Sequence, residues 1–257
     1  MKTSFDHFGQ VNALPAVRHV AASRIAAWLA AGWRDLKANP IPSLAYGLLF
    51  GIGGDLILLA SFGHPHLFTV AVSGFFLVAP LLAAGLYELS RQHAQGVHPI
   101  FIESLRAFRS NGQSIALFGL VLALITVLWE RTSAIAFALL GDATAADVGQ
   151  FLAQVVAGGG HTTFVIAWFV LGGMLALLTF ALSVVSVPLM LDRDSDFVTA
   201  MLTSLHAFAA NAGVLLLWAA TIVALTLFGF ATLLFGLVVI MPILGHASWH
   251  AYRDLVE

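Results

Sequence analysis

The chain has no cysteine. That excludes a disulfide framework, thiolate chemistry, a cysteine-bound metal and covalent c-type haem. Charge is nearly as scarce: 9 % of residues are Asp, Glu, Lys or Arg, against roughly 25 % in a soluble domain. With 60 % hydrophobic residues and a mean hydropathy of +0.95, the chain lacks the polar surface to be wetted on all sides. It reads as an integral membrane protein. The 11 basic residues are too scattered to follow a phosphate backbone, so nucleic acid is not an expected partner. A Walker loop, a nucleophile elbow, a His-Glu-x-x-His pair and carboxylates at catalytic spacing are all missing. No enzyme activity and no cofactor are therefore expected. The start does not read as a signal peptide, since Asp6, His7 and Gln10 stand where an apolar core belongs.

What the chain does have is a stretch used more than once. Ser104-Leu105-Arg106-Ala107-Phe108-Arg109-Ser110-Asn111-Gly112 is echoed by Ser204-Leu205-His206-Ala207-Phe208-Ala209-Ala210-Asn211-Ala212-Gly213. A fainter copy is Trp33-Arg34-Asp35-Leu36-Lys37-Ala38-Asn39-Pro40. Each copy ends at an Asn and opens into a long apolar run, and each pair of runs reaches a proline, Pro80, Pro188 or Pro242. The repeat unit is a surface helix, an Asn, a hydrophobic hairpin and a proline. Asn39, Asn111 and Asn211 read as N-caps, and the prolines as kinks.

A membrane helix needs roughly 20 apolar residues. Six spans are predicted, about 42–62, 67–89, 112–131, 162–191, 212–229 and 232–252. The third continues to 140 if Glu130 and Arg131 are tolerated inside it. The boundary near Phe228–Thr232 is soft, because no proline or charge fixes that turn. His64-Pro65-His66 reads as a hairpin turn, and residues 142–160 as an outer insertion with a short amphipathic segment. The expected fold is all-α: three repeated hairpins with short amphipathic cytoplasmic helices, arranged with pseudo-threefold symmetry.

Residues 1–41 form an expected cytoplasmic segment. Its stretch 16–38 sets Arg18, Arg24, Arg34 and Lys37 against Val20, Ile25, Trp28 and Leu36. Two readings stand for it, a helix lying on an anionic leaflet or one packed on the protein's own cytoplasmic face. Lys2, Arg18, Arg24, Arg34, Lys37, Arg91, Arg106, Arg109, Arg193 and Arg253 share one side of the six-span arrangement, and only Arg131 does not. That asymmetry predicts cytoplasmic termini in a multi-pass protein.

Few residues could carry chemistry. Asp55 sits about 13 residues into the first span, roughly 20 Å deep. Its spacing of four from Gly47 and Gly51 predicts a close-packed face, with Asp55 turned toward another helix. Arg131 is its expected partner, with Glu130 as a second carboxylate nearby, and such a group can fix register or line an ion path. His246 and His250, four apart on the last helix, share a face that suits two ligands of a metal or haem, or a polar interfacial stripe.

Two motifs bear a resemblance. Ala31-Gly32-Trp33-Arg34-Asp35-Leu36 followed by Pro42-Ser43-Leu44-Ala45-Tyr46-Gly47 is the first, and Ala79-Pro80-Leu81-Leu82-Ala83-Ala84-Gly85-Leu86-Tyr87-Glu88-Leu89-Ser90-Arg91 with Gly96 is the second. They resemble an uncharacterised bacterial family of integral membrane proteins, a domain of unknown function, some members of which carry the name of a cytochrome c oxidase subunit. The resemblance implies six helices in a bacterial inner membrane and no established activity. The chain shows no haem–copper ligand set, so it implies at most an accessory polypeptide. The expected function is a non-catalytic accessory, assembly or stabilising subunit, possible partners being the lipid bilayer, respiratory-complex subunits or further copies of the chain. The alternative is a small transporter or channel using Asp55, Glu130 and Arg131.

Overall fold

The computed structural model describes residues 14–61, 82–140 and 162–257, and these are helical apart from turns and one isolated bridge. The helices are α1 (Arg24–Ala38), α2 (Pro40–Ser61), α3 (82–94), α4 (Phe101–Ser104), α5 (Ala107–Ser110) and α6 (Gly112–Leu140). They continue with α7 (Thr162–Ser183), α8 (Ser186–Arg193), α9 (Phe197–Ala210), α10 (Ala212–Ala231) and α11 (Leu237–Leu255). Four stretches among the described residues are long and apolar enough to cross a membrane: Pro40–Ile57, Gly112–Ala136, Ile166–Arg193 and Ala212–Ala231. Pro80, His64-Pro65-His66, the 142–160 segment and most of the second expected span lie outside the described residues.

Local chemistry explains most boundaries. Pro40 opens α2, where its missing N–H is an orphan in any case. Helix α3 stops at Gly96, whose φ of +72° suits glycine; Gly96 N–H donates to His93 and Val97 N–H to Gln92, satisfying the last carbonyls. Asp196 caps α9 by accepting from Val198 N–H and Thr199 N–H, both at 3.0 Å. Hydrogen bonding from Thr199 and Val198 holds the Asp196 carboxyl below its ordinary value.

Of the three prolines of the repeat, Pro188 and Pro242 lie among the described residues and sit in different settings. Pro188 cannot donate to Val184, and the helix breaks there, between α7 and α8. Ser204 fills the break: its hydroxyl donates to Ala181 O at 2.7 Å and accepts from Val185 N–H at 3.2 Å. Pro242 stays inside α11 and leaves the Val238 carbonyl without an in-helix donor. Gly47 of α2 lies directly against that carbonyl oxygen, and a methyl group at Gly47 would overlap it. Gly51 and Gly54 continue the contact against Val238 and Leu234. The Gly47-x-x-x-Gly51 spacing therefore marks a real close approach of α2 to α11.

The fourth expected span is interrupted at 184–185, and the third runs unbroken through Glu130 and Arg131 to Leu140. The soft boundary falls later than expected, at 232–236 rather than 228–232. Here Leu233 and Leu234 take positive φ, and Thr232 Oγ1 donates to Gly229 O and accepts from Gly236 N–H. A hydroxyl between two glycines makes this turn, which is why a search for proline or charge misplaced it.

At the Asn-bearing end, α1 packs along α11 through Ile25, Trp28, Ala31, Gly32 and Leu36. This is the second of the two readings of that segment. Trp28 Nε1 donates to Asp254 at 2.6 Å, and Arg24 pairs with the same carboxylate. The segment before α1 runs beside the C-terminal one: Val17 bridges Val256, and Arg18 N–H donates to Leu255 O at 2.9 Å. Trp28 meets Trp218 edge to face in the core, with ring centroids 5.7 Å apart.

Candidate functional site

Four helices bring short polar side chains together at one end of the bundle. Asp35 lies in the last turn of α1, Ser43 in the first turn of α2, Ser90 near the end of α3, and His246 and His250 on α11. Asp35, Ser43, Ser90 and His246 are buried at 5 %, 0 %, 2 % and 1 % exposure, so each polar atom needs a protein partner. His246 Nε2 lies 2.9 Å from Ser43 Oγ, and its Nδ1 lies 2.7 Å from Ser90 Oγ. Ser90 donates to Asp35 Oδ2 at 2.7 Å, and His250 Nε2 reaches the same oxygen at 2.9 Å. His93 Nε2 stands 3.9 Å from the other carboxylate oxygen.

Donor counting assigns the protons. Ser90 has one hydroxyl proton and gives it to Asp35, so it accepts from His246 Nδ1–H. His246 Nε2 then accepts from the Ser43 hydroxyl. The result is a single-direction chain: Ser43 to His246 to Ser90 to Asp35, with His250 donating to Asp35 from the outside. Burial pushes the Asp35 carboxyl up, but hydrogen bonds from His250 and Ser90, with the nearby imidazoles, outweigh it and leave Asp35 below its ordinary value.

A second polar cluster adjoins the first. Glu88 accepts from Arg91 through Nε and Nη2 at 2.6 and 2.8 Å, and from Gln92 Nε2 at 2.8 Å. Tyr46 OH lies 2.7 Å from Ser104 Oγ, whose proton goes to Phe101 O, so the phenol is the donor. An open depression elsewhere, lined by Pro15, Leu189, Arg193, Asp194, Ser195, Asp196 and Thr199, does not touch either cluster.

This arrangement corrects three expectations. His246 and His250 do not present a shared pair of ligands. Both nitrogens of His246 are hydrogen-bonded, and His250 is turned to Asp35, because α11 is wedged between α1, α2 and α3. Among the described residues no group of three or more His, Asp or Glu is placed to hold a metal ion. Next, Asp55 and Arg131 do not pair within the chain. Asp55 is exposed and has no hydrogen-bond or ion-pair partner among the described residues, while Arg131 lies 3.5 Å from Glu130. A helix drifts about 40° every four residues, so Asp55 sits about 80° round from Gly47 and leaves the packed face. The contact of Ser43 with His246 resembles a nucleophile and its base, but Ser43 is sealed from solvent.

Lastly, two of the three repeated asparagines, Asn111 and Asn211, are clamps rather than caps. Asn211 makes no side-chain cap bond to α10. Its Nδ2 donates to Arg18 O and its Oδ1 accepts from Val20 N–H, both at 2.9 Å, fixing the entry into α1. Asn111 Nδ2 donates to Met190 O and Ser195 O at 3.2 and 2.7 Å, fixing the entry into α9. Asn39 is buried, and among the described residues its side chain has no hydrogen bond.

The sequence reading missed Asp35, Ser43, Glu88 and Ser90 as site residues, although all four stand in the two motifs that carry the family resemblance. For Ser43 a signal was there, a single polar residue among small and apolar neighbours four positions before Gly47; Asp35, Glu88 and Ser90 stand among other polar residues and carry none.

Four stretches among the described residues are long and apolar enough to cross a bilayer, and one of them, on α2, carries Ser43 of the sealed polar cluster; the chain has the make-up of an integral membrane protein. Residues 67–192 match the family model described as "Predicted integral membrane protein (DUF2189)". The match agrees with the uncharacterised membrane family resembled above, and its description carries no oxidase subunit; the motif beginning at Ala79 lies inside the matched segment and the one beginning at Ala31 outside it. No curated protein and no solved structure matches the chain. Glu88 and Ser90 fall inside the matched segment, whereas Asp35, Ser43 and His246 fall outside it.

Proposed function

We propose that the chain is a non-catalytic subunit of a bacterial inner membrane that assembles with, or stabilises, a larger membrane complex, a respiratory complex among the candidates. One observation carries this reading: the polar side chains are bonded to one another and closed to solvent, while rows of large apolar side chains on α2, α6, α7 and α10 face outward. Such a molecule offers surface and rigidity rather than a reaction centre. Six crossings with both termini cytoplasmic fit two observations. The pairing of residues 16–18 with Leu255–Glu257 favours an even number of crossings between them, and in a six-span arrangement ten of the eleven basic residues would share that side. The clamps of Asn111 and Asn211, each on the chain just ahead of a surface helix, support the plan of repeated hairpins.

Affinity purification from native membranes in mild detergent, with mass spectrometry of the associated proteins, tests the reading. Stoichiometric membrane subunits of another complex are expected. The chain alone, or only copies of itself, overturns the accessory role. The transporter alternative needs Asp55, Glu130 and Arg131 along one path, and the outward position of Asp55 and Arg131 in a single copy gives it less support.

A further inference from the structure

Helices α2 and α6 each present an outward charge, of opposite sign: Asp55 on the first and Arg131, beside Glu130, on the second. On α2, the exposed row Ile41, Leu44, Leu48, Ile52, Leu56 and Leu59 includes Asp55. On α6, the exposed row Leu117, Leu120, Leu124, Leu128 and Ile135 includes Arg131, whose side chain is 74 % exposed. The opposite sides of these helices pack inward, α2 chiefly on α11 and α6 chiefly on α7, and among the described residues the two rows stay exposed. Ionisable side chains inside membrane helices face protein or water-filled cavities and pair with one another, and lipid provides neither.

We propose that a second copy of this chain covers these rows, with Asp55 of one copy bonded to Arg131 of the other. The heights agree. Asp55 lies 16 residues beyond Asn39 and Arg131 lies 20 beyond Asn111, two positions from which α2 and α6 rise. Four residues are about 6 Å of helix. Helical side chains lean toward the N-terminus, so the long arginine reaches back across that interval and the short aspartate stays near its own level. Glu130, 3.5 Å from Arg131, occupies part of the guanidinium, which has five donors and accepts a second carboxylate without losing the first. The apolar rows on either side bring Leu56 of one copy near Leu128 of the other. Self-association rests on the membrane placement of α2 and α6 and not on the accessory-subunit reading.

The absence of cysteine makes the test specific, because one introduced thiol is the only one in each copy. Leu56→Cys and Leu128→Cys, on full-length chains with different tags, are co-expressed and joined in native membranes with a short bismaleimide. Leu56 and Leu128 are 61 % and 50 % exposed, so both variants keep the fold. A mixed-tag covalent dimer is expected in preference to either same-tag dimer. Asp55→Arg in the first copy is expected to lower its yield about tenfold, and Arg131→Asp added to the second copy to restore it. Unchanged melting temperatures of the monomers in detergent confirm that folding is intact. Monomers alone, same-tag products only, or a mixed-tag yield unmoved by the charge exchange would overturn the interface. None of these outcomes bears on which foreign subunits co-purify, so this proposal and the accessory reading fail separately.

Discussion

The polar end of the bundle and its apolar flanks treat charge in opposite ways. At the end, Asp35 is buried and accepts from Ser90 and His250, with His246 and Ser43 behind them. On the flanks, Asp55 and Arg131 stand outward at the level of the apolar spans with no partner across the chain. The sealed cluster belongs to the fold of one copy, and the outward charges are what the proposed second copy would meet. Depth along a helix says that a charge needs company. It does not say whether the company is in the same chain.

The comparison breaks first if the support beneath the polar end is removed. Ser43 and Gly47 are one turn apart on α2, and Gly47 touches the Val238 carbonyl that Pro242 leaves free. Gly47→Ala puts a methyl group into backbone rather than a yielding side chain. It is expected to cost about 3 kcal/mol, at the upper end for overpacking, and to separate Ser43 from His246. Thermal unfolding in detergent measures this, and a variant as stable as the parent would show that the α2–α11 approach is loose.

Asp35→Asn tests the cluster itself. The carboxylate accepts two hydrogen bonds in a site 8 % exposed, and its loss is expected to cost about 2 kcal/mol at neutral pH. The pH dependence has a definite sign. Asp35 titrates lower in the folded chain than in the unfolded one, so its stabilisation is complete above the unfolded value of about 3.9 and disappears as pH falls through the folded value. The gap between the parent and Asp35→Asn is expected to be present at neutral pH and to close as pH falls below about 4. A gap that persists in acid would mean that packing, not the carboxylate, is responsible.

Next in size are the asparagine clamps. Asn211→Ala removes hydrogen bonds to Arg18 and Val20, an expected loss of about 1–2 kcal/mol. Asn39→Ala removes no hydrogen bond among the described residues, and a loss below about 0.5 kcal/mol is expected. Equal effects would return the three positions to a common capping role.

How much of this was legible in the sequence follows from what each interaction is made of. Apolar length and the lack of charge give helices and a membrane without further help. The glycine spacing at 47 and 51 announces a close approach because only glycine permits it. The polar cluster was hidden because Asp35 and His246 are 211 positions apart, and nothing local to either names the other. The same holds for the asparagines: an Asn before a helix looks like a cap, and only the tertiary approach of residues 18–20 turns it into a clamp. The turn at 232–236 was displaced because a threonine between two glycines carries a weaker signature than a proline.

The smallest expected effect sharpens the comparison most. Asp55→Asn in a detergent-solubilised monomer removes a charge that no side chain of the same copy holds, so its stability is expected to stay within about 0.5 kcal/mol of the parent. Asp35→Asn makes the same chemical change and is expected to cost about four times as much, because its carboxylate is enclosed and bonded. A large destabilisation by Asp55→Asn in the monomer would place its partner within one chain and remove the reason for a second copy. A null effect in the monomer together with a lowered yield of covalent pairing in the membrane separates folding from assembly, since one substitution leaves the first intact and weakens the second.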